Sequence, residues 1–128
     1  MRAVPNQYGV FDKETTPGVE VVKFDIGDGF TYVRAFVLEV GPQQWVYGYD
    51  YRLRECGASS PLLSVAESSV RGRRVCTSRD DAIAAALRHV TKTCRQNLDC
   101  PGSSQPVVDT SRKYLELMAS YQSQGRLF

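Results

Sequence analysis

Residues 44–55, QWVYGYDYRLRE, are the stretch that decides the fold of this chain of 128 residues. Successive side chains of a β-strand point to opposite faces, so every second residue shares one side. One side carries large apolar residues, and the other carries mostly polar or small ones. The first set is Trp45, Tyr47, Tyr49, Tyr51 and Leu53, and the second is Val46, Gly48, Asp50, Arg52 and Arg54. This alternation predicts a strand with one buried face, which another element must cover.

Two more strands are predicted before the aromatic strand, at residues 19–26 and 30–40. The second is apolar on both faces except at Arg34 and Glu39, which is typical of a central strand. A Gly-Asp-Gly turn and a Gly-Pro-Gln turn join the three strands. Such short connections predict an antiparallel meander over residues 19–55. Residues 73–76 are predicted as a short fourth strand.

The clearest helix start in the sequence is Ser78, whose hydroxyl can accept from the backbone amide of Asp81. The helix is predicted over residues 78–96. Its apolar stripe comprises Ile83, Ala86, Leu87, Val90 and Cys94, with Arg88, Lys92 and Arg95 on the opposite side. Alanines at positions 84–86 allow close packing on a sheet, so we expect this helix to cover the aromatic face.

A second helix is predicted over residues 109–124, with Asp109 as its N-cap and Gly125 as its stop. Its apolar stripe is Tyr114, Leu117, Met118 and Tyr121. Residues 1–17 are predicted as an extended N-terminal arm that Tyr8 and Phe11 anchor. Residues 56–69 are predicted as a loop that reaches the core through its leucines.

Strands followed by helices predict a small α+β domain spanning residues 1–128. The expected architecture is a three- to four-stranded antiparallel meander packed by two C-terminal helices. Hydrophobic content of 42% and charged content of 23% are ordinary for a globular protein. The chain has no apolar run of about 20 residues and no apolar segment near its start. We therefore expect no membrane partner and a cytoplasmic location, where thiols are mostly reduced.

The charge is unevenly distributed along the chain. Residues 1–50 carry a net charge of −3 and residues 51–128 carry +5, within a total of +2. Twelve of the sixteen basic residues are arginine, which favours planar, bidentate contacts. Codon bias in a high-GC genome is the alternative explanation.

Arginines provide the candidate binding site, for a protein or a phosphate. The candidates are Arg52, Arg54, Arg71, Arg73, Arg74 and Arg79. The last four precede or open the helix that starts at Ser78, where free backbone amides favour anions. The first two lie on the polar face of the aromatic strand and could extend this site. An ordinary solvated loop is the alternative.

No catalytic residue, metal site or cofactor is predicted. Cys56, Cys76, Cys94 and Cys100 are separated by nineteen, seventeen and five residues, and no pair has the short spacing of a zinc knuckle. Cys94 is expected to pack in the core, and a bridge from Cys94 to Cys100 would need an oxidising compartment. The single histidine, His89, could form a nucleophilic dyad with Cys56, which leaves a Cys/His hydrolase as a third function.

A recognisable arrangement runs from Trp45 to His89. A Trp-bearing strand is followed by Cys-Gly-x-Ser-Ser-Pro-Leu at 56–62, then by Thr-Ser-Arg-Asp-Asp-Ala-Ile-Ala-Ala-Ala-Leu at 77–87. This third of the chain resembles small proteins carried by plasmids and prophages of high-GC bacteria. The layout is also similar to ethylene-response-factor-type and integrase arm-binding domains, which read DNA with the sheet face opposite the helix. Their Trp-Leu-Gly-Thr-Phe strand is replaced by Arg-Arg-Val-Cys-Thr, so this second similarity concerns the fold alone.

The resemblance implies a non-catalytic binding protein of mobile-element origin. Its partner would be a host protein or nucleoprotein complex, as for anti-defence inhibitors. The alternative is a DNA- or RNA-binding protein with a partition or regulatory role, which would use the outer sheet face and the arginine loop, defined as residues 71–79. The sequence leaves the partner's identity, the oligomeric state and the thiol redox state open.

Overall fold

The aromatic strand lies inside a four-stranded sheet in the computed structural model, which describes residues 3–27 and 30–123, the side chains of residues 122 and 123 excepted. The fold is α+β, as predicted. The strands are β1 (Val10–Phe11), β2 (Glu20–Asp25), β3 (Tyr32–Gly41), β4 (Gln44–Leu53), β5 (Cys56–Ser60) and β6 (Leu62–Leu63). The helices are α1 (Val65–Val70), α2 (Arg79–Asp99) and α3 (Gln105–Ser123).

The main sheet has the order β2-β3-β4-β5, and all its neighbours are antiparallel. Val33 lies opposite Tyr51, and Val37 lies opposite Tyr47, so apolar side chains of β3 and β4 share one face. β1 pairs with β6 in a separate two-stranded sheet. The Gly-Asp-Gly turn predicted between β2 and β3 includes residues 28 and 29, which lie outside the described residues.

α2 and α3 cover the aromatic face of the sheet, as the alternation in β4 predicted. The largest core cluster joins strand residues such as Phe24, Val37 and Tyr51 to α2 and α3. Each large apolar side chain removed from water there stabilises the fold by about 1.5–3 kcal/mol. The predicted stripe of α2 is buried, and in α3 Tyr114 is fully buried. The sheet and the helical layer therefore enclose one main core.

The helix boundaries follow local capping and proline chemistry. The Ser78 hydroxyl accepts from the Asp81 amide at 3.2 Å, and α2 runs three residues beyond the predicted end. α3 begins four residues before Asp109, whose carboxylate instead accepts from the Gln105 side chain at 2.8 Å. Pro106 lies in the first turn, where the missing N–H costs nothing. Gly125, the predicted stop, lies outside the described residues.

No described helix has both the length and the apolar character needed to cross a membrane.

Two predictions about the segment after β4 were wrong. Residues 56–69 lie in β5, β6 and α1 rather than in a loop. β5 forms because the open edge of β4 offers backbone partners to a segment of weak intrinsic strand preference, whereas β6 pairs with β1. Leu62 and Leu63 are fully buried, as expected. Residues 73–76 do not form a strand, and only Cys76 pairs with β4, through two hydrogen bonds to Trp45 of 2.8 and 2.9 Å. β5 already occupies the later part of that edge, opposite residues 49–53 of β4.

The other face of the sheet is partly covered by the N-terminal segment. Phe11, Leu38, Val46 and Leu62 form a second buried cluster there. Phe11 anchors the segment as expected, whereas Tyr8 is 67% exposed. The segment contains turns and the short strand β1. The sheet is thus covered by helices on one face and by a thin layer over part of the other.

Gly48 of β4 lies too close to neighbouring backbone atoms to accept a side chain without strain. A Cβ atom there would lie 2.9 Å from the Ser60 carbonyl oxygen and 3.1 Å from the Leu62 amide nitrogen, both backbone atoms. We expect Gly48→Ala to lower the free energy of unfolding by about 1–3 kcal/mol, as measured by urea denaturation. Gly102→Ala is the control, since its nearest neighbour would be the Cys100 sulfur at 3.9 Å. Equal stability of the two variants would contradict this close approach.

Candidate functional site

The six candidate arginines do not form one site. The Arg73 guanidinium lies against Tyr47, near the start of β4, whereas Arg52 and Arg54 lie at or just beyond its far end. Arg52 lies five positions after Tyr47, which is about 17 Å along a strand. The predicted extension of the arginine loop by Arg52 and Arg54 is therefore not continuous in space.

Arg73 is held by backbone and side-chain acceptors of the sheet edge. Its guanidinium donates to the carbonyl oxygens of Tyr47 at 3.0 Å and Pro61 at 2.5 Å, and also to the Ser60 hydroxyl. It also lies 5.2 Å from the centre of the Tyr47 ring. Arg73 thus joins β4 to the junction between β5 and β6, which is a structural role.

The other arginines of the loop differ in their partners. Arg71 pairs with Glu67 at 3.0 Å, and Arg79 pairs with Glu20 and with Asp80. Arg74 is exposed and has no hydrogen bond or ion pair within residues 3–27 and 30–123. Three of the four loop arginines therefore already have intramolecular partners, which leaves Arg74 to meet an external anion.

Cations on the outer face of the sheet are also engaged within the chain. Arg34 forms two hydrogen bonds with Asp50, at 2.7 and 2.5 Å, and this contact raises the pKa of Arg34. The Lys13 ammonium donates to the Tyr49 carbonyl at 3.0 Å and lies 4.9 Å from the centre of the Phe36 ring. Burial lowers the pKa of Lys13. Arg52 remains exposed on this face.

An apolar groove with a charged margin lies on the helical layer. A groove of about 640 Å³ runs between α2 and α3 on the side away from the sheet. Its floor includes the buried side chains of Leu87 and Met118 and the half-buried Leu115. Ala84 and Ala119 line it with small side chains. We call this feature the helical groove.

Three cations flank the helical groove along α2. Arg88, Lys92 and Arg95 follow one another at i, i+4 and i+7, which places them on one stripe of the helix. All three are exposed, and none of their side chains forms a hydrogen bond or ion pair with another described residue. Asp99 also lines the groove, one turn beyond Arg95. The groove is therefore apolar at its floor and positively charged along one side.

A buried hydrogen bond fixes the two helices beneath the groove. The Tyr114 hydroxyl lies 3.1 Å from the Thr91 hydroxyl oxygen and donates to the Leu87 carbonyl at 3.4 Å. Burial raises the pKa of Tyr114 to about 12, so the phenol stays neutral near pH 7. The floor of the groove is consequently a defined surface between two packed helices.

His89 belongs to an aromatic stack beside the cationic stripe. Its ring lies 5.3 Å from the Tyr49 ring at an interplanar angle of 19°. Burial, then the positive charges of Arg73, Arg88 and Lys92, lower the pKa of His89. The lowered pKa favours the neutral imidazole.

The hypothetical dyad of His89 and Cys56 is not assembled in this structure. The Cys56 sulfur accepts a weak hydrogen bond from the Asn97 amide at 3.9 Å, whereas His89 stacks on Tyr49. All four cysteines are free thiols, and burial raises the pKa of Cys94 to about 11. Among the described residues, no three His, Cys, Asp or Glu side chains are grouped so that they could hold a metal ion.

No protein-family model matches the chain, and neither a curated protein nor a solved structure matches it.

The helical groove was not predicted from the sequence, although its components were visible there. The cations of α2 were assigned to the polar side of the helix, and the alanines were assigned to packing on the sheet. Ala85 and Ala86 do pack inward, but Ala84 is exposed at the groove. The docking of α2 and α3 determines which residues of α3 form the opposite wall. The helical period of each sequence does not specify this docking.

If Arg73 is structural, its loss should reduce stability. Arg73→Met leaves several carbonyl and hydroxyl acceptors of the sheet edge without a charged donor, so we expect a loss of about 2 kcal/mol in the free energy of unfolding. The matched control Arg74→Met should change it by less than about 0.5 kcal/mol. Chemical denaturation of both variants measures the difference, and equal stabilities would show that Arg73 does not hold the edge.

The pKa of His89 should report the positive charges that Arg88 and Lys92 of α2 place near its ring. The chain has one histidine, so its NMR signal is unambiguous. We expect a pKa below the ordinary value of about 6.5, and a higher pKa in the double variant Arg88→Gln with Lys92→Gln. Because the folded-state pKa is lowered, His89 contributes stability above the unfolded-state value, and that contribution is lost as the pH falls. A pKa unchanged by the double variant would contradict this influence.

Proposed function

We propose that this chain is a non-catalytic binding protein that docks on a partner protein through the helical groove. The observation that carries the proposal is the combination of an apolar floor with three cations, Arg88, Lys92 and Arg95, whose side chains have no partner among the described residues. An interface of this kind removes apolar surface from water while its charged margin selects the partner. The groove has both components.

We favour the helical groove over the arginine loop because its cationic side chains have no intramolecular partners among the described residues, whereas most arginines of the loop do. Arg71, Arg73 and Arg79 already bind acceptors within the chain, so an external ligand would have to displace them. Arg88, Lys92 and Arg95 have no such contacts among the described residues. Binding at the α2 stripe therefore breaks no intramolecular ion pair that the structure describes.

The proposed source of the partner is the host of a mobile element. This part of the proposal rests on the resemblance of residues 45–89 to small proteins of plasmids and prophages. A small protein without a catalytic centre can still act by occupying a surface of a host protein or nucleoprotein complex. An anti-defence inhibitor works in that way, and we propose this role for the chain.

Nucleic-acid binding remains the alternative function. Arg52, Arg74 and the cations of α2 could contact phosphates, and such binding would weaken steeply with salt. A phosphate backbone, however, would leave the apolar floor of the groove uncovered. The protein partner is preferred because it accounts for both the floor and the charges.

Site-specific photo-crosslinking tests the proposed function. With p-benzoylphenylalanine in place of Arg95, we expect one dominant crosslinked protein in a nuclease-treated lysate of the organism that encodes the chain. The same probe in place of Arg52, on the opposite face of the sheet, should give none. Adding Lys92→Glu should remove the crosslink at position 95, because it reverses a charge beside the probe.

The result at the control position decides between surfaces. A crosslink formed only at position 52 would place the interface on the outer sheet face and overturn the proposal. Loss of the position-95 product on nuclease treatment would indicate a nucleic-acid-dependent association instead. Absence of any product at position 95 under native conditions would also contradict the proposed function.

A further inference from the structure

We propose, building on the function proposed above, that the segment bound in the helical groove is an acidic amphipathic helix of the partner protein. The binding mode is a helix laid along a groove between two helices, with its apolar side on the floor. Carboxylates at one margin of that helix would face Arg88, Lys92 and Arg95. The proposal thus fixes both the shape and the charge of the ligand.

The length and width of the groove fit a helix. Its lining extends along α2 from Ala84 to Asp99, which corresponds to about 22 Å of helix axis, or roughly four turns. Helices pack at interaxial distances of about 8–10 Å, and the smaller the side chains at the contact, the closer the approach. Ala84 and Ala119 provide such small side chains on opposite walls. A third helix can therefore approach α2 and α3 closely.

The floor of the groove favours a partner helix whose apolar side chains lie on one face. Leu87, Leu115 and Met118 present aliphatic and thioether atoms to the groove. Methionine has three rotatable bonds and adapts to the shape of an incoming side chain. Leucine-type residues at positions i, i+3 or i+4, and i+7 of the partner would lie over this floor.

The stripe on α2 specifies acidic residues in the partner. From Arg88 to Arg95 the cations span about 10 Å along the helix axis, and their four- and three-residue spacing is also the spacing of one face of a second helix. Glutamate or aspartate at matching positions can pair with all three. Asp99 lies at one end of the lining and would repel a carboxylate there, so the acidic residues of the partner should face the three cations and not Asp99.

Two other occupants fit these observations less well. A nucleic acid could pair with the cations, but its phosphates would not cover Leu115 and the buried floor. A second copy of this chain that used the same groove would bring two identical cationic stripes together, because a two-fold interface places equal surfaces opposite each other. An acidic amphipathic helix would cover the apolar floor and would also pair with the three cations.

A designed peptide pair tests the proposal on the full-length chain. The probe is a fluorescein-labelled helix of about 18 residues with leucine at i, i+3, i+4 and i+7 positions and glutamate along one margin. Its control has glutamine at every glutamate position and keeps the same apolar face. We expect the glutamate peptide to bind, as measured by fluorescence anisotropy, and the glutamine peptide to bind at least about tenfold more weakly.

Variants of the chain localise the binding. Lys92→Glu with Arg95→Glu should weaken the glutamate peptide at least about tenfold, whereas Arg52→Glu with Arg74→Glu, matched in charge, should leave it unchanged. Ala119→Trp should also weaken binding by filling the groove, and since Ala119 is exposed, this change leaves the core intact. Circular dichroism melts check that each variant is folded.

The outcomes separate this inference from the proposed function. Equal affinity for the two peptides, or equal weakening by both charge-reversed doubles, would overturn the acidic helix. So would a dimer that Ala119→Trp dissociates in sedimentation velocity, because a second copy would then occupy the groove. A crosslink at position 95 together with no peptide binding would refute the acidic helix alone. Failure of both experiments would refute the docking function as well.

Discussion

The aromatic face of β4 has to leave water, and α2 is the helix that covers its centre. Tyr47, Tyr51 and Leu53 lie in the same core as the buried alanines and aliphatic residues of α2. Because Ala82, Ala85 and Ala86 add little volume, the helix can approach the rings closely. This docking determines which side of α2 faces outward, and so it determines where Arg88, Lys92 and Arg95 appear on the surface.

The edge of β4 imposes a second requirement, which is the satisfaction of backbone polar groups. β5 pairs with the later part of the strand, and Cys76 pairs with Trp45 near its start. Between these two contacts, Arg73 supplies the donor that the Tyr47 carbonyl needs. A buried acceptor without a partner costs about 1–3 kcal/mol. This requirement explains why an arginine that resembles a phosphate ligand in the sequence is used by the fold itself.

Local patterns in the sequence were sufficient to predict the meander, the start of α2 and the face of β4 that it covers. They failed where a residue's role depends on a distant segment. Residues 56–60 have weak strand preference and pair because β4 offers an open edge. Arg73 lies in an arginine-rich segment that is typical of an anion site. Its acceptors, however, are twelve or more residues away in the chain. The wall that α3 adds to the helical groove likewise depends on the docking of two helices.

The three cations on the surface of α2 destabilise the isolated fold, which supports a functional role for them. Arg88 and Lys92 are like charges at i and i+4, a pairing that destabilises a helix by about 0.2–0.5 kcal/mol. Asp99 could pair with Arg95, but no ion pair between them is found within the described ranges. Elsewhere, Arg34, Arg71, Arg73 and Arg79 are each matched to an acceptor. Unfavourable local arrangements are typical of functional surfaces, and the one on α2 coincides with the apolar groove.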